Sequence, residues 1–184
     1  MTSEMAIGTL KRLSSFLLII ALGASFRTAT SAFAAVDPGL CPAGSNSRQL
    51  DFWLGDWSVA YPGAATASAS KVSVDLDQCL IVESWTGGKG HSGKNFFAYS
   101  SDDKAWHGMF ADNEGRVHIF EGRVAAGTAE FYGPSRSADG QAVLNRIKIV
   151  RMTPAKVEQT WEKSTDQGVT WTTVFSGEYS RTDH

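Results

Sequence analysis

The 184-residue sequence predicts an all-β fold, a single antiparallel up-and-down meander barrel of about ten strands. Three observations carry that expectation. From Leu50 onward polar and apolar residues alternate in short runs, turn-forming residues separate the runs, and no run keeps a helical period.

The cleanest run is Lys71-Val72-Ser73-Val74-Asp75-Leu76-Asp77, apolar at every even position and polar at every odd one. It predicts a half-buried strand with Val72, Val74 and Leu76 turned inward. Further strands are expected around Trp57 and at 80–86, 95–100, 105–111, 116–124, 128–133, 142–152, 156–163 and 170–181. Their separators are turn chemistry, among them Gly87-Gly88-Lys89-Gly90, Asn113-Glu114-Gly115, Ala138-Asp139-Gly140 and Asp166-Gln167-Gly168. Short strands joined by tight hairpins suit closure into a barrel, which leaves no exposed edge.

The sequence before Leu50 reads differently. Lys11 and Arg12 precede the apolar run Phe16–Leu22, which is too short to span a bilayer, and small residues follow to Ala32-Phe33-Ala34. That order predicts a signal peptide over residues 1–34, cut after Ala34, and hence export to the periplasm or the medium. Residues 35–49, rich in Pro, Gly and Ser, read as an N-terminal linker, and 50–184 as the single barrel domain. Leu40 stands before Cys41 where lipidation needs a small residue, so no membrane anchor is expected after cleavage.

Removing residues 1–34 takes Lys11, Arg12, Arg27 and Glu4 from 17 basic and 19 acidic residues, leaving 14 against 18 and a formal charge of −4. An acidic chain without a basic run argues against nucleic acid or an anionic membrane as partner. Nothing in the sequence specifies an oligomer. The two cysteines, Cys41 and Cys79, form an even pair with neither C-x-x-C spacing nor neighbouring His ligands. In an exported chain this predicts one structural disulfide, pinning the linker to the barrel.

Asp51-Phe52-Trp53-Leu54-Gly55-Asp56-Trp57 is the most informative motif. Its Gly55-Asp56-Trp57 resembles the G-x-W that opens the first strand of lipocalins and other calycins. The resemblance implies that Trp57 closes the barrel floor against an Arg of the last strand, here Arg181. With Glu83-Ser84-Trp85, Phe110–Gly115, Gln159–Glu162 and Phe175–Tyr179, the stretch from Gln49 to Arg181 resembles a group of bacterial exported proteins with a lipocalin-like fold and no settled activity. His107 departs from that group, which has Gln after the Trp106-like residue. Ser164-Thr165-Asp166-Gln167-Gly168-Val169-Thr170-Trp171 matches the Asp-box hairpin of sialidases. A propeller needs several copies, so one copy implies a structural turn tied by Ser164 and Asp166 over Trp171.

Alternation also picks out interior polar groups. Glu83 shares a face with Ile81 and Trp85, Gln159 with Val157 and Trp161, Tyr99 with Phe97, and Asn145 with Ile147. A lone polar group on an inward apolar face must be hydrogen-bonded. Glu83 and Gln159 are therefore candidate orienting groups for a ligand in the barrel, with Trp85, Tyr99 and Trp161 as lining; a bond between the two, to Arg146 or to buried water is the alternative. His107 and His118 fall on neighbouring strands without H-x-H or H-E-x-x-H spacing, and no metal or cofactor is expected. No catalytic motif stands out. The favoured expectation is a binding protein for a small, mainly apolar molecule. A small isomerase or hydrolase using Glu83 as general base, and a cavity-free interaction module, are the alternatives.

If the signal assignment is right, intact-mass measurement of exported protein finds a chain beginning at Ala35; retention of residues 1–34 contradicts it.

Overall fold

A computed structural model describes residues 41–182. The expected signal peptide and its cleavage site lie outside these residues, as do residues 35–40 of the linker. Within them the chain forms ten strands: β1 (Gly55–Ala60), β2 (Ser68–Asp75), β3 (Leu80–Thr86), β4 (Ser92–Tyr99), β5 (Trp106–Asp112), β6 (Val117–Ala125), β7 (Thr128–Arg136), β8 (Ala142–Thr153), β9 (Lys156–Ser164) and β10 (Thr172–Arg181). Each pairs antiparallel with its sequence neighbours, and β1 pairs with β10 to close the barrel. The all-β meander is thus the observed fold. No helix among the described residues is long and apolar enough to cross a membrane.

One expected strand is displaced. β2 ends at Asp75, and Leu76, Asp77 and Gln78 take left-handed backbone with φ of 48°, 50° and 74°. Leu76 therefore sits exposed in a turn instead of facing inward. The turn delivers Cys79 to Cys41, and the two form a disulfide with 5.2 Å between Cα atoms. A bridge closing a loop of this length stabilises by roughly 4 kcal/mol in the chain-entropy model. It is compatible with an oxidising environment.

The linker does not stay a linker. Its end and the next residues form two single-turn 3-10 helices, Asn46–Arg48 and Asp51–Trp53, that place Leu50 and Trp53 fully buried. Trp53 meets Phe97 and Tyr179 with centroids 6.1 and 6.0 Å away. Beside it Trp57 donates its indole N–H to the Trp53 carbonyl at 2.9 Å. Trp57 lies opposite Arg181 in the closing register, and the guanidinium sits 4.4 Å from the indole centroid. The same guanidinium donates to the Leu54 carbonyl at 2.8 Å, tying the last strand to the segment that enters the first. One end of the barrel is thereby shut.

Rings fill the lower interior because glycines make space for them. A Cβ on Gly108 would stand 2.6 Å from the Phe97 ring, and one on Gly122 would stand 2.1 Å from the Glu130 carbonyl. Phe97 and Phe131 pack at 4.6 Å between centroids in that space.

The Asp-box hairpin is structural. Asp166 accepts from the Thr170 amide at 2.8 Å and hydroxyl at 2.6 Å, and Ser164 Oγ donates to it at 2.7 Å. Trp171 donates to the Gly168 carbonyl at 3.0 Å and carries the Arg146 guanidinium 4.0 Å above its ring. The Thr170 and Ser164 hydrogen bonds hold Asp166 down to about 2.

Replacing Arg181 with Ala removes both the stacking on Trp57 and the bond to Leu54. Urea denaturation should show a loss of about 1–4 kcal/mol, because packing goes with the charge. An unchanged midpoint and slope would show that the closure is held by the backbone ladder alone.

Candidate functional site

The end opposite the Trp57 floor is open, since the inward side chains there stop short of filling it. A cavity of about 370 Å³ enters from this mouth. Strand alternation builds its walls. β3 turns Glu83 and Trp85 inward, β4 Asn95, β5 Phe110, β6 His118, β9 Gln159, Trp161 and Lys163, and β10 Phe175 and Tyr179.

Two aromatic groups form the sides. Trp161 meets His118 at 4.8 Å, Phe110 at 5.2 Å and Phe120 at 5.7 Å between centroids, each near perpendicular. Trp85 meets His91 at 5.3 Å, Phe175 at 6.4 Å and Tyr61 at 6.5 Å. All of these pairs except the tilted Trp85–Tyr61 are edge-to-face, the geometry that aromatic quadrupoles prefer.

A polar chain forms the inner end. Glu83 is 1 % exposed, and Ser70 Oγ donates to its Oε1 at 2.7 Å while Asn95 Nδ2 donates to its Oε2 at 2.7 Å. The Tyr179 hydroxyl lies 2.9 Å from Glu83 Oε1 and also meets Gln159 Oε1. One phenolic proton cannot serve two acceptors. A protonated Glu83 donating to Tyr179, which then donates to Gln159, satisfies the whole chain. Burial pushes the Glu83 carboxyl up in that direction, against the hydrogen bonds from Ser70, Asn95 and Tyr179. Burial and the neighbouring carboxyl also push the Tyr179 phenol well up, so it stays protonated.

At the rim lies a charged cluster. Arg116 Nε donates to Asp112 at 2.6 Å, and its Nη2 reaches Glu114 at 3.0 Å and His91 Nε2 at 2.9 Å. Burial would raise Asp112, but the amide and guanidinium of Arg116, with His91 and the Glu114 amide, hold it at about 2. His91, Asp112 and Glu114 bring ligand atoms within 4.8 Å of one another, a spacing a metal ion accepts. The Arg116 guanidinium touches all three, so a cation would have to displace it. His118 is pushed below its ordinary value by burial and then by Lys163 and Arg116, against Asp112.

The structure brings Glu83, Trp85, Gln159 and Trp161 together around this cavity. Tyr99 is not among its lining residues. It faces inward at the closed end, where its ring packs on Trp106 at 6.0 Å and its hydroxyl accepts from Asn46 at 3.1 Å. Glu83 and Gln159 do not bond to each other directly; Tyr179 joins them. His107 and His118 do not meet, because adjacent residues of a pleat point to opposite faces. His107 points out to Asp103 at 2.8 Å, while His118 points in. Asn95 was legible by the same signal as Glu83, a lone polar residue two places from an inward Phe; the expected strand simply began there. Asn145, the other such group, turns its amide to the Gly133 carbonyl and accepts from Trp161 Nε1 at 3.1 Å.

The molecule is thus a closed up-and-down β-barrel with one plugged end and one cavity-bearing end. A scan against protein-family models finds no match to the chain, and a search of curated proteins finds none either.

Glu83→Gln keeps the shape and a donor but removes the titrating group. A carboxyl whose folded pKa is raised contributes most stability below its unfolded value near 4.5 and loses it as pH rises toward the folded value. Urea unfolding at several pH values should therefore show the variant gaining on the wild type across that rise. A difference constant with pH would mean that folding does not shift the Glu83 carboxyl.

Proposed function

We propose that this is an exported binding protein that holds a small, mainly apolar molecule in the barrel mouth. One observation carries the reading. Trp85 Nε1, Asn95 Oδ1 and His118 Nδ1 are buried without a protein partner, and all three residues line the same aromatic cavity. A buried polar atom left unpaired costs roughly 1–3 kcal/mol, so a site that gathers three of them favours a guest able to pair with them. The volume falls at the lower end of the roughly 300–1,000 Å³ of small-molecule sites, and the lining has their usual make-up, aromatic walls with a few convergent polar groups. Glu83, Tyr179 and Gln159 would orient the guest from the inner end. Export is supported by the Cys41–Cys79 bridge and by the basic-apolar-small order of residues 1–34.

Binding is favoured over acid–base catalysis because Glu83 is 1 % exposed and its carboxyl is surrounded by Ser70, Asn95 and Tyr179, which stand between it and the mouth's contents as hydrogen-bond partners. A general base needs a lone pair aimed at substrate.

Native mass spectrometry of gently purified protein should show a small-molecule adduct that is lost on denaturation, and Trp161→Ala should lower its occupancy. Bare protein throughout, with no adduct after incubation with aromatic or alkyl test compounds, would overturn the reading.

A further inference from the structure

Lys163 is the one cation of the cavity wall left without a hydrogen bond or ion pair among the described residues. It follows Trp161 by two places on β9, so the pleat that aims the indole inward aims the ammonium into the rim of the same cavity. The other rim cation is neutralised, because Arg116 is spent on Asp112 and Glu114. Across the Trp161 ring stands His118, with its Nδ1 buried and unpartnered. An unpaired ammonium and an unpaired imidazole nitrogen thus border the same aromatic wall.

We propose that the cavity takes an amphiphile with an anionic head, a carboxylate or sulfonate, seated at the rim between Lys163 and His118, with its apolar body against Trp161 and Phe110. This rests on the cavity-binding reading above and adds the class of ligand to it. The head stays at the mouth because the inner end is closed to anions. There Glu83 sits 1 % exposed with no cation beside it, and an anionic head pushed that deep would lose its hydration without gaining a counter-charge. At the rim an anion remains partly hydrated, and Lys163 and His118 supply charge-assisted donors that a neutral head cannot use. The nearby influence of Lys163 and Arg116 on His118 agrees with the side chains sharing one small space.

Two fluorescent probes test this with the full chain. 1-Anilinonaphthalene-8-sulfonate and N-phenyl-1-naphthylamine share one aromatic body and differ by the sulfonate. The anionic probe is expected to bind about tenfold more tightly, the effect of one charge-assisted contact. Lys163→Met should erase most of that difference between the two probes, and His118→Asn should reduce it in part. Lys148→Met serves as control, since Lys148 faces Glu130 on the outside of β8. Equal affinity for both probes, or a preference that survives Lys163→Met or is lost in Lys148→Met, overturns the anionic-head proposal while the cavity reading stands. Failure of both probes to bind the folded wild type overturns both.

Discussion

Closure of the sheet is the constraint on which the rest depends. When β1 pairs with β10, every strand gains two neighbours and no edge is left to aggregate. A ring of ten strands also encloses more space than strand side chains fill by themselves, because diameter grows with strand number. The sequence meets that surplus unequally at the two ends. At one, Leu50 and Trp53 are brought in from outside the sheet to make a plug, and Trp57 with Arg181 locks it where first and last strands meet. At the other no such insert enters among the described residues, and the surplus remains as the cavity.

The disulfide belongs to the same device. The plug is short, its two helices are single turns, and turns of that length do not hold in isolation. Tying Cys41 to the β2–β3 turn fixes the chain just before the plug, so that Leu50 and Trp53 enter the barrel at low entropic cost. The left-handed run at Leu76, Asp77 and Gln78 is part of this arrangement, since it carries Cys79 to the bridge.

Legibility in the sequence follows the physics of the pleat. Alternation says which face a residue takes, and turn residues say where a strand stops. Hence nearly every strand was readable, and so were the inward positions of Glu83, Trp85, Gln159 and Trp161. Alternation does not say how far along the barrel axis a residue lies. Tyr99 shows this: its face was right, but β4 carries it to the plugged end, three residues' rise past Phe96 and away from the mouth. Leu76 shows the other weakness, for the period continued one residue beyond the hydrogen-bonded ladder and only the backbone reveals the turn. Tyr179 carries no such signal, because its role as the link between Glu83 and Gln159 depends on contacts across 96 and 20 residues that no local pattern encodes. In the sequence His118 is weighed only with His107 as a metal ligand, because its actual partners, Trp161 and Phe110, come from strands that local pattern does not connect to it.

The two ends of the barrel handle charge in opposite ways, and this is what makes one of them suited to binding. At the floor the Arg181 cation has an indole face and a backbone carbonyl, so its charge is used up in closing the fold. Inside, Glu83 has donors but no cation, and a carboxyl so placed is most easily kept neutral, with its proton passed to a phenol and an amide oxygen. A neutral chain of that kind costs little to bury and presents polar atoms of fixed direction to whatever fills the space above it. Toward the rim the pairing becomes incomplete: Trp85, Asn95 and His118 each keep a polar atom that the protein does not satisfy. A core evolved only for stability would have replaced these by apolar groups, as Phe97, Phe131 and Ile147 are used lower down. Three of the five buried polar atoms without a partner among the described residues surround the open end, while Trp53 Nε1 belongs to the plug and Ser68 Oγ to neither group of cavity walls.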